Sequence, residues 1–202
     1  MRVALGLKAH SGWAALIALG LSGKDLEVVD RRRLELVEEG NSRWARQPYH
    51  AAEGLSPDEA RELVKRGTAA AYQTAAQELK AEVKRLRELN YQVVACGLIV
   101  GQPMPKWATA EILAVHFRMH QAEGVLFRDA LVRAAKKCRL ALVAIPEKLL
   151  TQQAEQTLAM PMSVLAQKIS ILGKSLGPPW RKDHKDSALA AMIALKSFRG
   201  KA

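Results

Sequence analysis

The chain has 202 residues, 49% hydrophobic and 25% charged. That composition excludes a disordered or fibrous protein and suits a single domain over 1–202 with a full core. A formal net charge of +11 at pH 7 favours a polyanionic partner, nucleic acid foremost, because Lys and Arg displace counterions from phosphates. The two cysteines, Cys96 and Cys138, sit in apolar segments without metal-ligand spacing. They exclude a disulfide scaffold and read as buried thiols of a reducing compartment.

The chain starts on a strand-like run, RVALGL (2–7), unlike a secretory signal, and its apolar run WAALIALGL (13–21) is about half a membrane span. The expected location is the cytoplasm, without a membrane partner. Residues 2–7, 13–19 and 25–37 read as three strands with short connections, hence an antiparallel meander. Gly20, Gly23 and Gly40 are expected in turns. A loop with Arg43, Trp44, Pro48, Tyr49 and His50 follows. Ser56-Pro57-Asp58-Glu59 then opens a helix, with Ser as N-cap, Pro at N1 and Glu at N3, that should run to about Leu89. Leu63, Ala70, Ala71, Leu79, Val83 and Leu86 form its apolar side, and its charges read as a solvated face.

YQVVACGLIVG (91–101) is a continuous apolar strand of a sheet interior. Residues 107–137 read as helix, bent at Gly124, and RLALVAI (139–145) as a further buried strand ended by Pro146. Helices are expected over 147–158, 162–175 and, after the Gly177-Pro178-Pro179 turn, 183–198. The order β-β-β-α-β-α-β-α…α predicts a five-stranded mixed α/β sheet, three strands antiparallel and two parallel, with helices on both faces. That is a ribonuclease-H-like arrangement.

Strand periodicity puts Val3, Leu5 and Leu7 on one face of the first strand and Ala4, Gly6 and Lys8 on the other. The small residues invite the last helix, with Ala188, Ala190, Ala191 and Ala194, to pack there. Lys8 would then face Asp183 and Asp186. As N-cap, Asp183 would satisfy free amides, and Asp186 would suit the positive end of the helix dipole. Yet Asp186 shares a stripe with Leu189 and Ile193, points inward, and so needs a cation, a metal or hydrogen bonds.

The segment DHKDSALAAMIAL (183–195) resembles the last helix of RuvC-type Holliday-junction resolvases, and the layout of nearly the whole chain, including AEG at 122–124, is similar too. The resemblance implies a site in which last-helix carboxylates join a strand-one aspartate and a strand-four glutamate around two Mg²⁺ ions that cleave a phosphodiester. Asp183 and Asp186 match the last-helix pair. Lys8 stands where the aspartate should be, and strand four offers Cys96, Gly97 and Gln102 but no glutamate. A Lys8–Asp186 ion pair would replace the metal bridge, with Lys8 a phosphate contact or internal counter-ion.

A second constellation is His116, His120 and Glu123 at i, i+4 and i+7 of one helix, a spacing able to hold a metal, with His10 and His50 as further ligands. Imidazoles at that spacing can share Zn²⁺ or Mn²⁺; for the chain as a whole Mg²⁺ or Mn²⁺ is expected before Zn²⁺, with no ion at all as the alternative. Chance spacing, with polar groups hydrogen-bonded under a loop, accounts for the same residues. Arg31-Arg32-Arg33, Lys136-Lys137-Arg139 and Arg181, Lys182 and Lys185 are candidate phosphate contacts. Trp44, Tyr49, Trp107 and Trp180 are candidates for base stacking or loop anchors.

Three functions stay open on the sequence. One is a nucleic-acid-binding protein with a degraded or nonstandard metal site. Another is a metal-dependent hydrolase built from His10, His116, His120, Glu123, Asp183 and Asp186. The last is a non-catalytic scaffold assembling through the 56–89 helix, with a homo-oligomer left open.

Overall fold

Side-chain alternation in the first strand decides which helices cover which face of the sheet. The computed structural model describes residues 1–23, 25–38 and 43–198. Strands β1 (Arg2–His10), β2 (Trp13–Ser22) and β3 (Asp25–Glu35) form the meander. Two short helices, α1 (Arg43–Arg46) and α2 (Pro48–Ala51), occupy the segment expected as loop, and α3 spans Pro57–Glu88. Then come β4 (Gln92–Val100), α4 (Thr109–Leu113), α5 (His116–Lys137) and β5 (Ala141–Pro146). A 3-10 turn at Glu147–Leu149 leads into α6 (Leu150–Leu158), α7 (Met162–Leu176) and α8 (Lys182–Ser197).

The sheet order is β3-β2-β1-β4-β5. The β1–β2 and β2–β3 pairs are antiparallel, and β1–β4 and β4–β5 are parallel. This is the mixed, ribonuclease-H-like α/β sheet expected from the element order. Val3, Leu5 and Leu7 belong to the core beneath α3 and α5, with Leu79, Leu86, Phe127 and Leu131. Ala4, Ile17 and Ala95 belong to the opposite core, beneath α6, α7 and α8. Among the described residues no helix is long and apolar enough to cross a membrane.

The start of α3 is as its sequence dictates: Glu59 accepts hydrogen bonds from the Ser56 backbone N–H at 3.1 Å and the Ser56 hydroxyl at 2.5 Å. Three local expectations are corrected. The helix after β4 is interrupted at Val115, which takes an extended φ of −139°, and runs unbroken through Gly124. There the missing side chain leaves room for the Arg128 guanidinium, 3.3 Å from where a Cβ would stand. Gly20 pairs with Val3 inside β2 instead of turning; Gly23 does turn, with φ +63°, and Gly40 lies outside the described residues. Asp183 is not the N-cap of the last helix, since Arg181 takes that position and Asp183 falls in the first turn.

Helix α8 reaches the sheet through two glycines that are neighbours across the β1–β4 pairing, Gly6 and Gly97. A Cβ on Gly6 would come within 1.8 Å of the Ser187 carbonyl oxygen, and one on Gly97 within 2.2 Å of the Ala190 carbonyl oxygen. With Ala188, Ala190, Ala191 and Ala194 fully buried, helix backbone lies almost directly on strand backbone. Because both obstacles are main-chain atoms, relief requires moving α8. Gly6→Ala and Gly97→Ala are each expected to lower unfolding free energy by about 3 kcal/mol or more. Gly54→Ala, where φ is +80° but nothing lies within 4 Å, should cost only about 1 kcal/mol of backbone strain. Urea titration of the three variants checks this.

Candidate functional site

Where α8 crosses the end of β1, the Lys8 ammonium is set among three carboxylates. Its Nζ lies 2.7 Å from Asp186 Oδ2, 3.1 Å from Glu147 Oε1 and 3.3 Å from Asp183 Oδ1. The Lys8 side chain is 11% exposed and that of Asp186 14%, so this pair is nearly withdrawn from water. Lys182, one turn earlier on α8, places its Nζ 2.6 Å from the same Asp186 oxygen. Asp183 also meets His10, Oδ2 to Nε2 at 3.2 Å, and the His10 ring stacks on Trp13 at 4.3 Å.

Burial by itself would make Lys8 easier to deprotonate. Hydrogen bonds to Asp186 and Glu147, with the charges of both, outweigh it and hold the ammonium well above the ordinary lysine range. Glu147 escaped the sequence reading because it follows β5 in a turn with no pattern of its own. Beyond the end of β4, the Arg128 guanidinium lies 2.9 Å from where a Cβ of Gly101 would be. Burial lowers its pKa, while the charges of Glu147 and Asp129 oppose that.

The histidine group is separate. A ring nitrogen from each of His50, His116 and His120 lies within 4.8 Å of the others, and the Nε2 atoms of His116 and His120 are 3.1 Å apart. Glu123 is not beside them as a third helix ligand. Its side chain, 1% exposed, accepts from the His50 backbone N–H at 3.2 Å and pairs with His50 Nδ1 at 2.8 Å through the same oxygen, Oε1. His10 belongs with Asp183, not with this cluster.

The basic runs divide into engaged and open residues. Arg31 donates to the carbonyls of Gly177 at 2.8 Å and Pro179 at 2.7 Å, fastening the turn before α8 to β3. Arg32 pairs with Asp30 at 2.6 Å and with the buried Glu82 at 3.2 Å, and Arg33 with Glu35. Arg181 and Lys185 are exposed, while Lys182 is tied to Asp186. Lys137 and Arg139 line a groove of about 570 Å³ together with Lys80, Lys84 and Arg87, with Glu88 its one acidic residue. The three α3 cations had read as part of a solvated face, and only the tertiary fold brings them beside the end of α5. Trp44 and Trp107 are covered by Arg66 and Arg118. Tyr49 packs into the core, and Trp180 donates to the Ile169 carbonyl at 3.1 Å.

The chain is similar in structure to RuvC of Thermus thermophilus. One structure of that protein matches with a TM-score of 0.50 at 10% identity, covering 95% of this chain and 92% of that one. T. thermophilus RuvC in complex with Holliday junction substrate matches with a TM-score of 0.54 at 13% identity, covering 96% and 92%. This RuvC-like, ribonuclease-H-like fold therefore extends over nearly the whole chain. No protein-family model matches the sequence, and no curated protein matches it.

Removing the central cation should cost more than removing a surface charge. Lys8→Met is expected to destabilise by about 1–3 kcal/mol at neutral pH, because it leaves the nearly buried Asp186 with Lys182 alone and sets it beside the partly exposed Asp183 and Glu147 without their shared cation. Acid neutralises carboxylates left to repel one another, so acidification should shrink the deficit. Urea midpoints at pH 7 and pH 5 for the variant and the parent protein test the sign. His184 supplies a second pH dependence of the same sign. Its Nδ1 accepts from the Arg181 backbone N–H at 3.1 Å, and burial, with the charge of Arg31, lowers its pKa. The associated stability is present above the unfolded value of about 6.5 and lost as pH falls through the lower folded value. In His184→Asn that component of the pH profile should disappear.

Proposed function

We propose that this chain is a nucleic-acid-binding protein in which the Lys8 ammonium stands where the resolvase resemblance would put metal. The observation that carries the reading is the Lys8 contact with Asp183, Asp186 and Glu147, all within 3.3 Å. A lysine at that point supplies one fixed positive charge and satisfies the carboxylates a divalent ion would need. At the end of β4 a guanidinium stands near Gly101, and no carboxylate follows in Gln102. The residues present do not fit a pair of Mg²⁺ ions, so no cleavage step is assigned to this site.

Polyanion binding is supported by the net charge of +11 and by the groove of Lys80, Lys84, Arg87, Lys137 and Arg139. T. thermophilus RuvC, whose fold this chain shares, is known in complex with a Holliday junction. Some of the groove cations also complement the carbonyl ends of α3 and α5. Phosphate contact would use the same charges without new geometry.

Fluorescence anisotropy with a four-way junction, a duplex and a single strand tests the reading. Binding is expected at low salt, falling by about 10³-fold or more between 50 and 200 mM salt if six or more phosphates are engaged. Lys80→Glu/Lys137→Glu should weaken binding to every substrate and flatten the salt slope. No affinity for any of the three at low salt would remove the proposal. The metal half is tested separately: Lys8→Asp should acquire a Mg²⁺-dependent rise in Tm that the parent lacks. Mg²⁺-dependent cleavage by the parent, lost in Asp186→Asn, would overturn it.

A further inference from the structure

We infer that His50, His116 and His120 form a site for one Zn²⁺ ion, with Glu123 positioning His50 from behind. It is independent of the Lys8 cluster and of nucleic-acid binding. The first observation is geometric. Two nitrogens, each about 2.0–2.1 Å from a tetrahedral zinc, stand about 3.3 Å apart; the Nε2 atoms of His116 and His120 are 3.1 Å apart. A ring nitrogen of His50 lies within 4.8 Å of both, so an ion would draw the exposed His116 and His120 rings toward His50, which Glu123 holds.

The second observation is electrostatic. Glu123 keeps a carboxylate in the interior with Oε2 buried and without a hydrogen-bond partner, and the Nε2 atom of His50 is buried and unpartnered too. An ionised carboxylate only accepts hydrogen bonds, so the His50 Nδ1 facing it carries the proton. The lone pair is then on Nε2, the atom left free. A carboxylate that orients a histidine in this way is the usual support behind a metal-bound imidazole. A cation beyond that ring would also offset a buried negative charge that otherwise has only hydrogen bonds.

Local structure delivers His50 to α5. The four-residue helix α2 seats Pro48 against Gly67 of α3, where a Cβ would come 2.7 Å from Pro48 Cβ. Tyr49 beside it packs into the core. His116 and His120, one turn apart, are exposed, so the ion keeps a solvent-facing fourth position, the layout in which zinc acidifies a bound water. Three imidazoles select Zn²⁺ over the oxygen-preferring Mg²⁺.

The test is titration of the full chain, stripped with chelator, with Zn²⁺ by calorimetry and with Co²⁺ by visible absorption. The parent should take up one ion per chain and show the intense d–d bands of tetrahedral Co²⁺. His116→Ala and His120→Ala, at exposed positions that leave the metal-free Tm unchanged, should abolish both signals. Glu123→Gln should keep the bands but weaken affinity by about 10- to 100-fold, and Asp186→Asn should bind as the parent does. A parent that takes up no stoichiometric ion would overturn the inference. So would undiminished binding by His120→Ala, or binding lost in Asp186→Asn.

Discussion

The position of α8 rests on one close approach, main chain of helix against main chain of strand over Gly6 and Gly97. Two glycines adjacent across a parallel pairing make a floor without side chains, and the alanines of α8 settle on it. Helix backbones rarely come so near a sheet, because ordinary side chains hold the layers about 10 Å apart. The consequence is felt two residues further along β1. Lys8, on the same face as Gly6, is brought against the first turn of α8, and Asp186, on the inward stripe of that helix, has nowhere else to point. The electrostatics of the site are thus a result of steric permission a few ångströms away.

Filling such a place with an ammonium changes what the carboxylates can do. A divalent ion binds reversibly and leaves open coordination positions for water or substrate; a lysine is covalently fixed and donates three hydrogen bonds. Lys8 directs its donors at Asp186, Glu147 and Asp183, and Lys182 adds a second cation to Asp186. The raised Lys8 pKa means that this charge persists across the whole range in which proteins work. The cluster therefore joins β1, the turn after β5 and α8 in one electrostatic knot. The histidine cluster differs in kind: its carboxylate is buried, two of its rings face solvent, and two of its buried polar atoms lack partners.

Much of this was legible from the residues. The alternation of Val3, Leu5 and Leu7 against Ala4, Gly6 and Lys8 fixed the faces of β1, and the alanine pattern of 188–194 identified the helix that covers one of them. Asp186 could be pointed inward from its spacing to Leu189 and Ile193. What escaped depended on contacts between distant segments. Glu147 sits in an irregular turn, and nothing local marks its approach to Lys8. His50 is legible as a further ligand beside His116, His120 and Glu123, but its direct pairing with Glu123 is not. The two lie 73 residues apart, and His50 is delivered by a helix too short to announce itself by periodicity. Arg31 and Arg32 read as free charge, because a sequence shows cations but not the carbonyls of Gly177 and Pro179 or the buried Glu82 that engage them.

Lys8 and Asp186 are 178 residues apart, and that separation has a kinetic consequence. During synthesis the β1–β2 hairpin, carrying the Ala4-Gly6-Lys8 face, emerges well before the helix that covers it. Until then that face has no lid, and contacts of such long range close slowly because loop entropy precedes any gain. On β1 itself, Ala4 and Gly6 give the waiting surface little apolar area and Lys8 gives it a charge, while Ile17 and Leu19 of β2 supply its apolar part. The residues that let α8 sit so close also confine the sticky part of its empty berth to β2 while the chain is unfinished.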